Sequence, residues 1–296
     1  MNSSDDIDTA CRGSSHPRLM VRRSTPAIVD VNEVAPAGMA VGLAFEVMGD
    51  GPSVVILHDL LGSGDDSVPL AESLARSYRV LLPDARNHGD SPWTSSTSYF
   101  EMAEDLEALI TQERLHRPML VGYGMGGKTA MALALMQPQA IAALVVIDSV
   151  PSLNADFYQE ILIALRNIDL GAICSRSELR TVLATRLGPC VPVDLLLRNV
   201  RRQGNHFDWR INLPSIESAA KELLEFPRAL DRCRYDGPTL FLNSDRSDEW
   251  KPEINTWIAE LFPAASLRVL QPHHTWPLAH QSAALEEAVS DWLSHA

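Results

Sequence analysis

One segment of the chain has the glycine spacing of a catalytic turn but lacks the side chain that would do the chemistry. Residues 120–131 read Leu-Val-Gly-Tyr-Gly-Met-Gly-Gly-Lys-Thr-Ala-Met. An apolar run leads into a glycine-rich turn and small residues lead out, as in the strand–turn–helix pattern G-x-S-x-G that exposes a nucleophilic serine. Gly124 stands at the serine position. Because glycine has no side chain, covalent acyl transfer at this turn lacks its nucleophile.

Four other side chains near this turn are predicted to act as acids, bases or hydrogen-bond donors. Asp59 follows the apolar run 53–58, Tyr123 precedes Gly124, Asp148 ends the apolar run 143–148, and His274 lies in a late loop. Carboxylates and histidine are the usual general acids and bases, and a tyrosine hydroxyl can donate to a substrate oxygen. We therefore predict Asp148, Asp59, His274 and Tyr123 as the catalytic candidates.

Backbone groups around Gly124 are predicted to form an anion-binding hole. By position, the N–H groups of Leu60 and Met125 would point at it, and Met125 opens a predicted helix. A helix N-terminus favours negative charge, and preorganised N–H donors stabilise an oxyanion. Such a hole would hold an enolate or a carboxylate without any covalent step.

Short apolar runs alternate with helical patterns over most of the chain, which predicts a parallel sheet with helices on both faces. The predicted strands are 44–48, 53–58, 78–83, 118–122, 143–148, 238–243 and 266–270. The alternation stops after Pro151, and residues 152–225 are mostly helical, interrupted by a short aromatic strand-like piece at 206–211. We predict a disordered tail at 1–25, a core at 26–151 and 226–296, and a helical lid at 152–225. The lid would cover the carboxyl ends of the strands, where open α/β sheets bind ligands.

Composition limits the classes of partner. The net charge of −13 argues against nucleic acid and anionic membrane surfaces, which attract basic patches. No apolar run is long enough for a membrane span, and no signal peptide is evident. The four cysteines have no metal-binding spacing. We predict a cytoplasmic monomer or homodimer that acts on a mainly apolar small molecule, without cofactor or metal.

Several motifs resemble the α/β-hydrolase superfamily, and within it the small esterases whose catalytic turn reads GHSMGGKTAM. They are His58-Asp-Leu-Leu-Gly62, Asp84-Ala-Arg-Asn-His-Gly-Asp-Ser-Pro92, Gly126-Gly-Lys-Thr-Ala-Met131, Phe207-Asp-Trp-Arg-Ile-Asn-Leu213 and Gly237-Pro-Thr-Leu-Phe-Leu242. The resemblance covers nearly everything after residue 40. It implies the α/β-hydrolase fold, with a mostly parallel central sheet and a helical lid inserted after the sixth core strand.

The same resemblance shows where the chain departs from the family. The implied triad places are Gly124 for serine, Asp148 for aspartate and Thr275 for histidine, and a one-residue loop shift would put His274 in the last place. Asp59 replaces a glycine and Tyr123 replaces a histidine. These departures cluster at the active site, whereas the scaffold motifs persist.

The clustering suggests a pocket rebuilt for another use, and three functions follow from it. Our main hypothesis is a cofactor-free cyclisation, elimination or related rearrangement of a polyketide-type intermediate, which makes the protein a lyase or cyclase. The alternatives are a non-catalytic binder or receptor, and a residual ester or thioester hydrolase that uses activated water.

Overall fold

The computed structural model describes residues 22–24, 38–149, 155–188, 191, 193–204, 206–244, 252–270 and 283–296. Most of the predicted tail at 1–25 lies outside these residues. Arg22–Ser24, within it, forms a strand that pairs with the next strand of the sheet.

A mostly parallel eight-stranded sheet forms the centre of the molecule, in the order β1-β2-β4-β3-β5-β6-β9-β10. Its strands are β1 Arg22–Ser24, β2 Phe45–Met48, β3 Ser53–Leu57, β4 Arg79–Pro83, β5 Met119–Tyr123, β6 Leu144–Ile147, β9 Thr239–Ser244 and β10 Ala265–Leu270. Strand β2 runs antiparallel to β1 and β4, and the remaining pairs are parallel. The predicted sheet is confirmed, with its catalytic-turn segment on the central strand β5.

Helices cover both faces of the sheet. They are α1 Val68–Leu74, α2 Tyr99–Gln112, α3 Gly124–Met136, α4 Ala155–Arg166, α5 Arg176–Leu187, α6 Val193–Arg198, α7 Leu213–Leu224, α8 Pro252–Leu261 and α9 Ala283–Leu293. Val55 and Leu57 of β3 pack in one core cluster with α2 and α3, and Val54 and Ile56 pack in the other with α1 and α9. This alternation follows from the two-residue period of a strand, and it explains why β3 reads as a continuous apolar run.

The segment between β6 and β9 contains helices α4 to α7 and a hairpin of β7, Val200–Gln203, with β8, His206–Trp209. The sequence pattern predicts a strand-like piece over 206–211 but not its partner β7. Arg201, Arg202 and Gln203 give β7 no apolar alternation, so no strand signal marks it. The lid and core boundaries at 151–152 and 225–226 remain a prediction.

Candidate active site

The carboxylate of Asp59 occupies the predicted anion-binding hole. The backbone N–H of Leu60 donates to Asp59 Oδ1 over 2.7 Å, and that of Met125 donates to the same oxygen over 2.8 Å. Asp59 is only 6% exposed. Two N–H donors and the N-terminus of α3 compensate its charge there. The two N–H groups that were predicted to bind an anion of the substrate therefore hold a carboxylate of the chain itself.

Gly124 makes room for that carboxylate. It begins α3 with a φ of +46°, a conformation that side-chain-bearing residues rarely adopt. A Cβ at this position would lie 1.9 Å from Asp59 Oδ1 and 2.3 Å from Asp59 Cγ. Asp59 thus brings an oxygen to the place where the turn would otherwise present its own side chain.

Helix α4 contributes a tyrosine to the same carboxylate. The hydroxyl of Tyr158, on α4, lies 3.5 Å from Asp59 Oδ2 and is placed to donate to it. Tyr158 is not among the residues predicted from the sequence. The sequence feature that includes it is an apolar stripe at helical spacing, formed by Tyr158, Ile161, Leu162 and Leu165. All four are buried and lie on one face of α4. A tyrosine on an apolar helix face is ordinary packing, so the stripe alone does not mark it as a site residue.

Two further buried groups lie near Asp59 and bind the end of α7. Lys128 Nζ donates to Leu224 O over 2.8 Å, and the Tyr99 hydroxyl donates to Leu223 O, both at the end of α7. Burial lowers the pKa of Lys128 to about 7, and this effect outweighs the negative charges of Asp59 and Glu225, which raise the pKa. Burial, and then the charge of Asp59, raises the pKa of Tyr99 well above its ordinary value.

Tyr123 lies away from this arrangement. Tyr123 packs with the α1 and α9 cluster, on the sheet face opposite the cluster that holds Met125 and Tyr158. Burial, followed by the charges of Asp148 and Glu286, raises the pKa of the Tyr123 hydroxyl. Asp148 follows β6 with a φ of +45°, and its N–H donates to Leu242 O over 3.0 Å. The structure thus brings Asp59, Leu60, Gly124 and Met125 together and directs Tyr123 to the other face.

Two buried histidines hold the loop that carries Asp59. Ala85 N donates to His58 Nε2 over 2.9 Å, so His58 Nδ1 carries the proton and donates to Asp59 O over 2.8 Å. His88 bridges in the same way between Arg86 O and the N–H of Leu61. Burial lowers the pKa of His58 to about 4 and that of His88 to about 3. Both rings are neutral supports of the loop and not bases at neutral pH.

Side chains of the segment between β6 and β9 also hold this loop. Asn199 Nδ2 donates to Leu61 O, and Arg198 pairs with Asp66 at 3.2 Å. Arg210 adds a pair to Asp65 at 3.4 Å. The loop from His58 to Asp66 is therefore fixed by histidines of the core and by polar side chains of the lid.

The late loop with His274 and Thr275 lies outside the described residues, so their predicted places are not addressed by the structure. Within the described part of the chain, no helix has the length and apolar character needed to cross a bilayer.

Comparison with known proteins decides the family. A sequence model described as alpha/beta hydrolase fold matches residues 52–172. The chain is 33% identical over 251 residues to a mouse protein named sn-1-specific diacylglycerol lipase ABHD11, covering 82% of this chain and 81% of that one. The chain belongs to the α/β-hydrolase-fold family.

Two further proteins that resemble this chain are named esterases. Esterase YbfF of Escherichia coli is 25% identical over 242 residues, covering 81% of this chain and 92% of its own. The solved structure of a marine microorganism esterase superposes with a TM-score of 0.81 at 31% identity, covering 86% of this chain and 100% of that one.

These relatives correct the main functional hypothesis. They are named lipases and esterases, which are hydrolases, and none of these names indicates a cyclase or lyase. The prediction of cyclisation, elimination or rearrangement was therefore wrong. It gave too much weight to the missing serine, because it treated Asp59 as one more altered group instead of the one that fills the turn.

Proposed function

We propose that this α/β-hydrolase-fold protein hydrolyses esters of small, mainly apolar molecules with water activated by Asp59, and not through an acyl-enzyme. The observation that carries the proposal is the contact of Asp59 Oδ1 with the N–H groups of Leu60 and Met125, which fixes a carboxylate at the catalytic turn. The esterase and lipase names of the relatives support the reaction class.

The proposed chemistry uses the two oxygens of Asp59 differently. Oδ1 is the anchor, and Oδ2 takes a proton from a water molecule that attacks the ester carbonyl. The Tyr158 hydroxyl, 3.5 Å from Oδ2, donates to the carbonyl oxygen as it becomes negative. Protonated Asp59 then returns the proton to the departing alkoxide, so the carboxylate is regenerated and atoms balance.

A mainly apolar substrate is supported by the apolar surroundings of Tyr158. Ile161, Leu162 and Leu165 lie on the same side of α4 as Tyr158. A cytoplasmic location and a monomeric or dimeric state stay predictions from the sequence.

The test is hydrolysis of short-chain p-nitrophenyl esters by the wild type and by Asp59→Asn. Asparagine keeps an oxygen for the two N–H groups but cannot take the proton. We expect a loss of about 10²- to 10⁴-fold in kcat, the usual worth of a general base. We also expect no burst of p-nitrophenol, because no acyl-enzyme accumulates. Asp231→Asn, an exposed carboxylate of the core, is the matched control.

An Asp59→Asn variant with wild-type ester hydrolysis would contradict the proposal. The filled anion hole also favours the second candidate, a non-catalytic binder, because no substrate oxygen can enter the hole while Asp59 Oδ1 is in it. Absence of ester hydrolysis above background at high protein concentration would favour that candidate.

A further inference from the structure

The hairpin of β7 and β8 has one buried face and one face that borders a groove. Val200 and Phe207, on the buried face, are 4% and 6% exposed. Arg201 and Asp208 are direct partners across the hairpin, and because side chains alternate along a strand they lie on the other face. Both line a groove of about 330 Å³, the hairpin groove. The hairpin therefore places a cationic and an anionic side chain at one concave surface.

The rest of the hairpin groove is largely apolar. Trp93 from the loop after β4, Trp209 at the end of β8, and Leu213 and Pro214 at the start of α7 line it. Both tryptophans are half-buried. Small-molecule sites are concave, have volumes from about 300 Å³ upward, and combine apolar and aromatic walls with a few polar groups. The hairpin groove has this size and composition.

The guanidinium of Arg201 contains a buried donor without an acceptor. Its Nε is shielded from solvent, and no hydrogen-bond acceptor reaches it among the residues that the structure describes. Buried polar groups in folded proteins nearly always have a partner, because an unmade hydrogen bond costs free energy. An acceptor oxygen supplied by a ligand in the groove would satisfy this donor.

Asp208 does not neutralise Arg201, although the two residues are neighbours. Residues directly opposite in an antiparallel pair have Cβ atoms about 5 Å apart, so an ion pair is within easy reach. In the described part of the chain no ion pair joins them, and Asp208 Oδ2 lies instead 3.7 Å from His206 Nε2. Two opposite charges are thus held side by side without pairing, which leaves each available to a ligand group of the other sign.

We propose that the hairpin groove binds a small zwitterion with an apolar body, whose acidic group contacts Arg201 and whose ammonium group contacts Asp208. This binding site goes beyond the ester hydrolysis proposed above and does not depend on it. Leu60, Met125 and Tyr158, which contact Asp59, do not line the hairpin groove. The two sites are therefore separate.

Each part of the ligand matches one part of the groove. The guanidinium fork of Arg201 fits the paired oxygens of a carboxylate or a phosphate. The ammonium group gains from the carboxylate of Asp208 and from the faces of nearby tryptophans, which attract cations. The apolar body packs against Leu213 and Pro214. Two sources supply this chemistry, an apolar α-amino acid and a zwitterionic lipid headgroup of the phosphocholine type.

The experiment is isothermal titration calorimetry of the full chain with L-phenylalanine and, separately, with dihexanoylphosphatidylcholine. The titrations are done at mildly alkaline pH, because a protonated His206 would compete for Asp208. We expect saturable binding of one of the two probes with a Kd of about 1 mM or lower, a modest affinity for ligands of this size. Which probe binds identifies the source of the zwitterion.

Analogues with one charge test the need for both groups. N-acetyl-L-phenylalanine keeps only the acid and phenethylamine keeps only the ammonium, and for the lipid probe dihexanoylphosphatidic acid lacks the ammonium. Each should bind at least about 10-fold more weakly than the zwitterion, since each leaves a charged side chain of the groove without its hydrogen bond. A one-charge analogue that binds as tightly as the zwitterion would contradict the assigned pairing.

Two variants and a matched control assign the binding to the groove. Arg201→Gln and Asp208→Asn should each weaken binding about 10-fold or more. Arg202→Gln removes the same charge from the next residue, which lies on the other face of the hairpin opposite Phe207. It should change the Kd by no more than about twofold, as expected for a surface position outside the site. Circular dichroism verifies that the variants are folded.

Absence of saturable binding by both probes up to about 10 mM would overturn the proposal. Equal weakening by Arg201→Gln and Arg202→Gln would also overturn it, because it would reflect the net charge of the hairpin and not a site in the groove. All titrations are done without ester substrate, so neither result bears on hydrolysis by Asp59. Failure of this proposal is therefore distinguishable from failure of the proposed function.

Discussion

Asp59 Oδ1 and a side chain at position 124 compete for the same space: an ideal Cβ on Gly124 would stand 1.9 Å from that oxygen. The oxygen is held in place by the N–H groups of Leu60 and Met125. The aspartate and the glycine look like two separate departures from the family pattern. They are structurally coupled, because the carboxylate lies where a side chain at position 124 would lie. The observed position of Asp59 requires a residue without a side chain at position 124.

Gly124→Ser is expected to destabilise the protein by about 2 to 4 kcal/mol. The serine would push Asp59 out of two charge-assisted hydrogen bonds and would itself adopt a positive φ. Urea unfolding followed by circular dichroism measures the loss.

The double variant Asp59→Gly with Gly124→Ser shows whether the two residues are coupled. Removing the carboxylate removes the clash, so the double variant should be more stable than the sum of the two single effects by about 1 to 3 kcal/mol. Strictly additive effects would mean that the carboxylate rotates away from serine without cost, against the contact seen in the structure.

The sequence is informative about the sheet and much less so about the site, for physical reasons. Buried parallel strands such as β3 and β6 produce local apolar runs, so pattern alone predicts them. The position of Asp59 depends on which way a loop side chain turns and on the N–H of Met125, 66 residues away in the chain. Tyr158 comes from the lid, 99 residues from Asp59. No local pattern encodes contacts at such separations.

His88 should make the free energy of unfolding depend on pH in the acidic range. Its folded pKa is lowered by burial to about 3 from 6.5, so the unfolded chain binds more protons between these values and stability falls as pH falls. The stability of the wild type relative to His88→Gln should therefore rise from pH 4 to pH 6.5, by up to about 1.4 kcal/mol per pH unit. Urea midpoints across this range give the slope. His206→Gln, at an exposed position, should leave it unchanged.

Lys128 should make the free energy of unfolding depend on pH in the alkaline range. Burial lowers its folded pKa to about 7 from 10.5, so the unfolded chain again binds more protons between these values and stability rises with pH. The stability of the wild type relative to Lys128→Met should increase as pH rises from 7 toward 10. Thermal unfolding at several pH values measures it, with the exposed Lys221→Met as control. A pH-independent difference would show that the lysine is not desolvated.

Asn212→Ala should lower the free energy of unfolding, because Asn212 connects the start of α7 to the loop after β4. The Asn212 amide donates to Asn87 Oδ1 over 2.9 Å and to Thr94 O, and its oxygen accepts from Ser215 N at the start of α7. We expect a loss of about 2 to 3 kcal/mol, because the change removes a helix cap and buried hydrogen bonds together. Ser175→Ala removes the exposed cap of α5 alone and should cost only about 1 kcal/mol.

The contacts between the segment after β6 and the His58–Asp66 loop link ligand binding to the position of Asp59. Asn199 donates to Leu61 O and Arg198 pairs with Asp66, so a ligand that strengthens the packing of this segment on the core also strengthens its hold on the loop that carries the carboxylate. The coupling is reciprocal for binding free energies: an ordered loop favours that ligand by the same free energy with which the ligand orders the loop. Substitutions at Asn199 or Arg198 would therefore change the affinity for such a ligand and the order of the Asp59 loop together.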